Sequence, residues 1–317
     1  RRQIAAANGS VIRSLLVYAR HHPATSLAET ARAQALGAAR HWLADGYERG
    51  RGIVHDRLDP NAFSPGAPRF LADLASMGRA WLAAWIESGE RDFLDASLDL
   101  AAYANRGLWT DAGYLDVTPY ELRQAVAGEI NSVGEDSVQT PADTPRRIDG
   151  LTQGVPTPQI AYLHQRPVVD DDGGRSAESL ALEWLLDLHQ ATADEVWRDR
   201  ARWLVEGLAG KARQASFLAA GFQQAALRFD RPGPVAIVCG PRDDPRADDL
   251  FRRARDLAPL SAEPLWLDPT TDADLCDAHG VEPVGGQPAL YVSVGGICSE
   301  PILEAADLEP SHLRPSR

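Results

Sequence analysis

A chain of 317 residues can bury a large core and divides into one large or two unequal domains. Its composition, 44% apolar and 24% charged, is that of an ordinary globular protein. A net charge of −13 disfavours nucleic acid and anionic membranes as partners, and no apolar run reaches the roughly eighteen residues of a membrane helix.

The opening "RRQIAAANGS" has neither an initiator Met nor a signal-peptide core, which reads as a start inside a longer protein. From residue 3 to about 229 the apolar residues recur at helical spacing. Val11, Ile12, Leu15, Leu16 and Ala19 form one stripe, and Leu27, Ala31, Ala35, Ala38, Ala39 and Trp42 the next. Phe70, Leu74, Met77, Trp81 and Trp85 follow, then Phe93, Leu94, Leu98, Ala101 and Ala102. Later stripes pair Leu180, Trp184, Leu185 and Leu188 with Val196, Trp197, Ala201, Leu204 and Leu208, before Phe217, Leu218, Phe222, Ala225 and Phe229. Tight polar turns at 87–92 and 190–196 make antiparallel hairpins of these helices. Trp81, Trp85, Trp184, Trp197 and Trp203 lie on or near the stripes and are expected in the core.

Two hairpins end alike, in "GRGIVHD" (50–56) and "TDAGYLDV" (110–117): a glycine exit, a short β-prone run and an acid. Their spacing of roughly sixty residues is a plausible period for stacked helical hairpins. The expected fold class is mainly α, a partial (α/α) toroid of antiparallel helical hairpins over residues 1–230. Between 128 and 174 the period disappears into a Pro-, Gly- and Asp-rich insertion. Residues 231–317 read as a small β-α-β-α-β lobe and a tail. Its strands are "GPVAIVCG" (233–240), "EPLWLD" (263–268) and "QPALYVSV" (287–294), with helices from near Pro245 and Thr271. The element order predicts a mainly parallel sheet, and the apolar strands one covered on both faces.

The lobe's first turn, "CGPRDDPRADDL", has no phosphate-binding glycine motif and carries Asp243, Asp244, Asp248 and Asp249, so no nucleotide cofactor is expected. Cys239, Cys276 and Cys298 form no CxxC and no zinc spacing; no metal is expected, and a reducing, cytoplasmic location fits. Cys298, without a nearby His in sequence, reads as a structural thiol.

"NGSVIRSLLVYAR" (8–20), "RFLADLASMGRAWLAAWIESGERDFLDASLDLAAYANRGLWTDAGYLDV" (69–117), "RPVVDDDGGRSAESLALEWLLDL" (166–188) and "PALYVSVGGICSEPILEAADL" (288–308) together resemble the C-terminal part of the thioredoxin-fused, spermatogenesis-associated thioredoxin-domain proteins. The resemblance implies an (α/α) toroid like that of six-hairpin glycosidases and N-acylglucosamine 2-epimerases, with an N-terminal thioredoxin-like module as a partner absent from this chain. The family's Pro-Ser-Gly-Asn-Ser run stands here as "GRSAES" (174–179), and its Tyr-Val-Cys as Tyr291-Val292-Ser293.

In such toroids the site lies at one rim, where the hairpin exits converge. The exits offer Asp56, Asp59, Asp111 and Asp116 as candidate catalytic carboxylates, since glycoside hydrolysis needs two across a sugar. His55, Trp109 and Asp172 are candidate substrate-binding groups; Asp149 could join from the insertion. Epimerisation would instead need a base such as His55. The altered run and the short ring point first to a non-catalytic or degenerate scaffold. The alternative is a carbohydrate-acting enzyme, epimerase-like or glycosidase-like, binding a saccharide.

Overall fold

The structure of the chain is a computed structural model, and it describes residues 2–23, 25–59, 61–64, 67–110, 113–117, 175–258 and 263–313. The expected insertion at 128–174, with Asp149 and Asp172, lies outside the described residues, as does Asp111.

The helical periodicity becomes seven α-helices among the described residues: α1 (Ala5–His21), α2 (Ser26–Asp45), α3 (Leu71–Ser88), α4 (Arg91–Gly107), α5 (Ala177–Thr192), α6 (Glu195–Ala215) and α7 (Ala220–Asp230). Helices α1, α3, α5 and α7 pack side by side as an inner layer, and α2, α4 and α6 return along the outside. This is the expected partial (α/α) toroid. The starts follow local chemistry: Thr25, Ser176 and Asp194 each accept a backbone amide of the first turn of α2, α5 and α6. Helix α3 is buried on nearly every side, which suits an all-round apolar sequence at the centre of two layers.

Close approach of the inner helices depends on missing side chains. A Cβ at Gly9 of α1 would stand 2.6 Å from the Ser76 carbonyl of α3. At Gly78 of α3 it would stand 2.4 Å from the Trp184 ring of α5. Around that second contact, Trp184 Nε1 donates to Ser97 Oγ at 3.0 Å, and Ser97 Oγ donates to the Gly78 carbonyl at 2.9 Å. One buried hydroxyl thus ties α3, α4 and α5 together, with every polar atom in the chain of bonds satisfied.

Trp81, Trp85, Trp184 and Trp197 are buried as expected, but Trp203 is 60% exposed. It sits on the outer face of α6, while Ala201, Leu204 and Leu208 turn inward. Val11, Leu27, Val196, Phe217 and Leu218 are likewise exposed although they extend the apolar stripes. A stripe read from spacing alone came out wider than the contact it makes.

The lobe contains β5 (Val235–Cys239), α8 (Pro245–Leu257), β6 (Leu265–Leu267), α9 (Ala273–His279), β7 (Ala289–Val294) and β8 (Ile297–Cys298). The element order matches expectation; the direction of the third strand does not. The sheet order is β6-β5-β7-β8, with β5–β6 parallel but β5–β7 and β7–β8 antiparallel. Helix α9 reaches out to the helical layer, where His279 Nε2 donates to the Ala191 carbonyl at 3.3 Å. From there the chain enters β7 from the opposite end.

The lobe covers one end of the inner helices. Gln190 Nε2 donates to the Glu263 carbonyl at 2.8 Å. Arg242 stacks on Trp266 and donates to the Ile86 and Trp266 carbonyls. Arg91 at the start of α4 clasps Asp274 through both terminal guanidinium nitrogens. Cys298 donates to the His279 carbonyl at 3.5 Å. Cys239 and Cys276, distant in sequence, place their sulfurs 3.6 Å apart in the buried lobe.

Candidate functional site

The end of the inner layer away from the lobe is built by the two hairpin exits. Strands β1 (Tyr47–Glu48) and β2 (Gly52–Ile53) form one antiparallel ribbon, and β3 (Trp109–Thr110) and β4 (Gly113–Tyr114) the other. Each exit then docks on the start of an inner helix. The His55 carbonyl accepts the Ala5 amide at 3.0 Å, and the Asp116 carbonyl accepts the Leu71 amide at 2.9 Å. Isolated bridges Ile4–Asp56 and Phe70–Val117 repeat the same joint. His55 and Asp116 are therefore equivalent positions of the repeat.

Asp73, which residue spacing does not single out, is the central group of this rim. It lies in the first turn of α3, where the helix dipole favours a carboxylate. Its Oδ1 accepts the Ala6 amide at 2.8 Å, supplying α1 with the cap it lacks on its own. Its Oδ2 stands 2.7 Å from His55 Nδ1; the Asp73 side chain is 2% exposed and that of His55 45%. Burial pushes the Asp73 carboxyl up, and His55 opposes that shift. The imidazole also lies against Phe70, ring centroids 4.7 Å apart. Nδ1 is held, and the exposed side chain leaves Nε2 for a second partner.

The other candidates are placed as follows. Asp56 Oδ1 accepts the amides of Gln3 at 2.9 Å and Leu58 at 3.1 Å, and these bonds lower its pKa. Asp59 Oδ1 accepts the Asn61 amide at 2.9 Å. Both carboxylates close turns. Asp116 is half-buried, has no side-chain hydrogen bond among the described residues, and is pushed up by burial. Trp109 makes an edge contact with Tyr114 at 4.8 Å, and the Arg200 guanidinium lies 5.0 Å from its ring centre. A cation already lies over the ring that the sequence offered as a candidate substrate-binding group. Glu178, in the first turn of α5, is fully buried at the corresponding helix start.

A second constellation runs deeper between the inner helices. Arg79 of α3 pairs with Glu183 and Asp187 of α5, its Nε 2.8 Å from Asp187. Arg175 shares Glu183, and Arg228 of α7 shares Asp187. Toward the lobe, Arg13 and Arg20 of α1 both lie 3.2 Å from Glu263. Burial pushes the Asp187 carboxyl up, but Arg79, Arg228 and Arg13 outweigh it and hold it well below the usual carboxylate range. Glu263 is lowered by the same balance, burial against Arg20 and Arg13. The signal in the sequence was charge inside an apolar run: Arg79 in "MGRAWLAAW", and Glu183 and Asp187 in "LALEWLLDL".

The sign of the acid response follows. Asp187 and Glu263 have depressed folded pKa values, so they stabilise the fold above about pH 4 and lose that contribution as pH falls through their folded values. Asp73 and Asp116, raised by burial, act in the opposite sense. The urea midpoint should therefore drop on acidification from about pH 5 to about pH 2. A flat midpoint across that window would show that the lowered Asp187 and Glu263 do not outweigh the raised Asp73 and Asp116.

No known family profile matches the chain. No curated protein matches it either. Six chains among solved structures are similar. One is a GH76 alpha-mannanase from Bacteroides thetaiotaomicron, at 13% identity and a TM-score of 0.46, with 72% of this chain and 52% of that chain covered. The chain spans about half the length of that protein.

Proposed function

We propose that this chain is a non-catalytic, six-hairpin-glycosidase-like scaffold, the C-terminal part of a protein whose missing thioredoxin-like module is its partner. The observation that carries this reading is the fate of the carboxylates. Hydrolysis of a glycoside needs one carboxyl free to donate a proton and another free to act as base or nucleophile. At the described rim, Asp56 and Asp59 hold backbone amides, and Asp73 holds both Ala6 and His55. Along the interior, Glu183, Asp187 and Glu263 are clamped by arginines. These acids have structural work, which fits a framework that displays surfaces.

A second reading has a specific observation in its favour. His55 held by a buried carboxylate, with Nε2 available, is an arrangement suited to removing a proton beside a carbonyl. Asp116, whose carbonyl binds the start of α3 where Asp73 also lies, would supply the acid. In this reading the chain is a carbohydrate-acting enzyme of epimerase type.

A thermal-shift screen of mono- and disaccharides separates the two. The scaffold reading expects no saccharide to raise the melting temperature. A saccharide-specific rise that disappears in both His55→Gln and Asp116→Asn would transfer the conclusion to the enzyme.

A further inference from the structure

The seam between the inner helices and the lobe holds a cluster of cations that the described carboxylates do not balance. Arg20 is 3% exposed at the end of α1, and Arg255 is 7% exposed in the last turn of α8. Arg32 of α2 joins them; its Nε pairs with Glu87 Oε1 at 2.5 Å. The same Glu87 is 3.9 Å from Arg20. Arg255 forms no ion pair with any described carboxylate, and its Nε is a buried donor without a hydrogen bond. Nε and Nη2 of Arg20 are buried and unbonded as well. Burial lowers the Arg255 pKa, with Arg32 and Arg20 adding to it against the pull of Glu87 and Asp256.

Magnitudes exclude the ordinary remedies. The carbonyl end of a helix offers about half a negative charge, too little to balance Arg20, Arg32 and Arg255 against Glu87 and a Glu263 that Arg20 shares with Arg13. The segment between α8 and Glu263 reads Ala258, Pro259, Leu260, Ser261, Ala262 and carries no acid. Orphan guanidinium donors at a buried position call for an anion or ordered water. The cluster belongs to a wider excess: Arg13, Arg20, Arg32, Arg79, Arg175, Arg228 and Arg255 face Glu87, Glu183, Asp187 and Glu263. That excess of cations stands inside a chain of net charge −13.

We propose that this seam binds a small oxyanion of the phosphate type, held by the guanidinium groups of Arg20, Arg32 and Arg255, with Glu87 fixing Arg32. Arginine's planar fork suits tetrahedral oxyanions because two N–H groups can donate in parallel. Arg32, with a side chain 36% exposed, opens the cluster to solvent. The proposal is independent of whether the rim is catalytic.

The test is thermal denaturation of the full chain in inorganic phosphate against chloride at equal ionic strength. Phosphate should raise the melting temperature of the parent saturably. Arg255→Gln should weaken that response at least tenfold, and in phosphate-free buffer it should melt at or above the parent. Arg202→Gln, on the exposed face of α6, should respond as the parent does. Equal melting in both salts or an undiminished response of Arg255→Gln would each overturn the proposal. If Arg255→Gln does not fold, saturable broadening of the phosphate 31P signal by the parent decides alone; an unbroadened line rejects the site.

Discussion

Arg79→Met should be the most damaging single change in the helical layer. It leaves Glu183 and Asp187 in a buried site without the guanidinium that bridges them. Removing one member of a buried pair typically costs about 3–5 kcal/mol, because the abandoned charge stays desolvated. Arg175 still reaches Glu183 and Arg228 still reaches Asp187, so the loss should fall near the lower bound, about 3 kcal/mol. The urea midpoint at neutral pH reads it. Adding Glu183→Met should restore part of the loss, since an apolar pair of similar volume carries no desolvation penalty. A double variant less stable than Arg79→Met would show that Glu183 is held by Arg175 alone.

A glycine pair gives a second large effect and its control. Gly9→Ala places a methyl 2.6 Å from the Ser76 carbonyl, where the obstacle is backbone and cannot rotate away. Helix α1 must move off α3, at a cost toward the upper end of the about 1–3 kcal/mol of overpacking. That movement also strains the Ala6–Asp73 bond, so His55 should lose order together with stability. Gly37→Ala, in the exposed middle of α2, meets nothing within 4 Å. It should stabilise by about 0.5–1 kcal/mol, because alanine loses less backbone entropy in a helix. Equal effects of the two changes would mean that α1 and α3 are not in contact at Gly9.

Much of this architecture could be read from residue spacing. Leu74, Met77, Trp81 and Trp85 announced α3, and the strand runs at 233–240, 263–268 and 287–294 each contain a strand. The repeat of the two exits is also real: the His55 and Asp116 carbonyls receive equivalent helix starts. Spacing could not give the antiparallel entry of β7, because direction depends on where α9 takes the chain. Nor could it separate Trp197 from Trp203, which differ only in which side of α6 they occupy. The site was the least legible part. Asp56 and Asp59 looked like chemistry because they are acids in exit loops, yet exit loops also need side chains to bind their own amides. Asp73 looked like helix, and became the partner that holds His55. Its one trace in the sequence was a charge within an apolar first turn, the same trace that marks Arg79 and Glu183.

Proton NMR of a saccharide panel incubated with the chain in heavy water tests the scaffold reading most directly, because one spectrum reports both alternative chemistries. Hydrolysis would produce new anomeric signals, and epimerisation would erase the signal of the proton removed beside the carbonyl. The account predicts spectra unchanged from protein-free controls. A signal that appears or decays with the parent chain, and not with His55→Gln or Asp116→Asn, would contradict it and make the rim an active site.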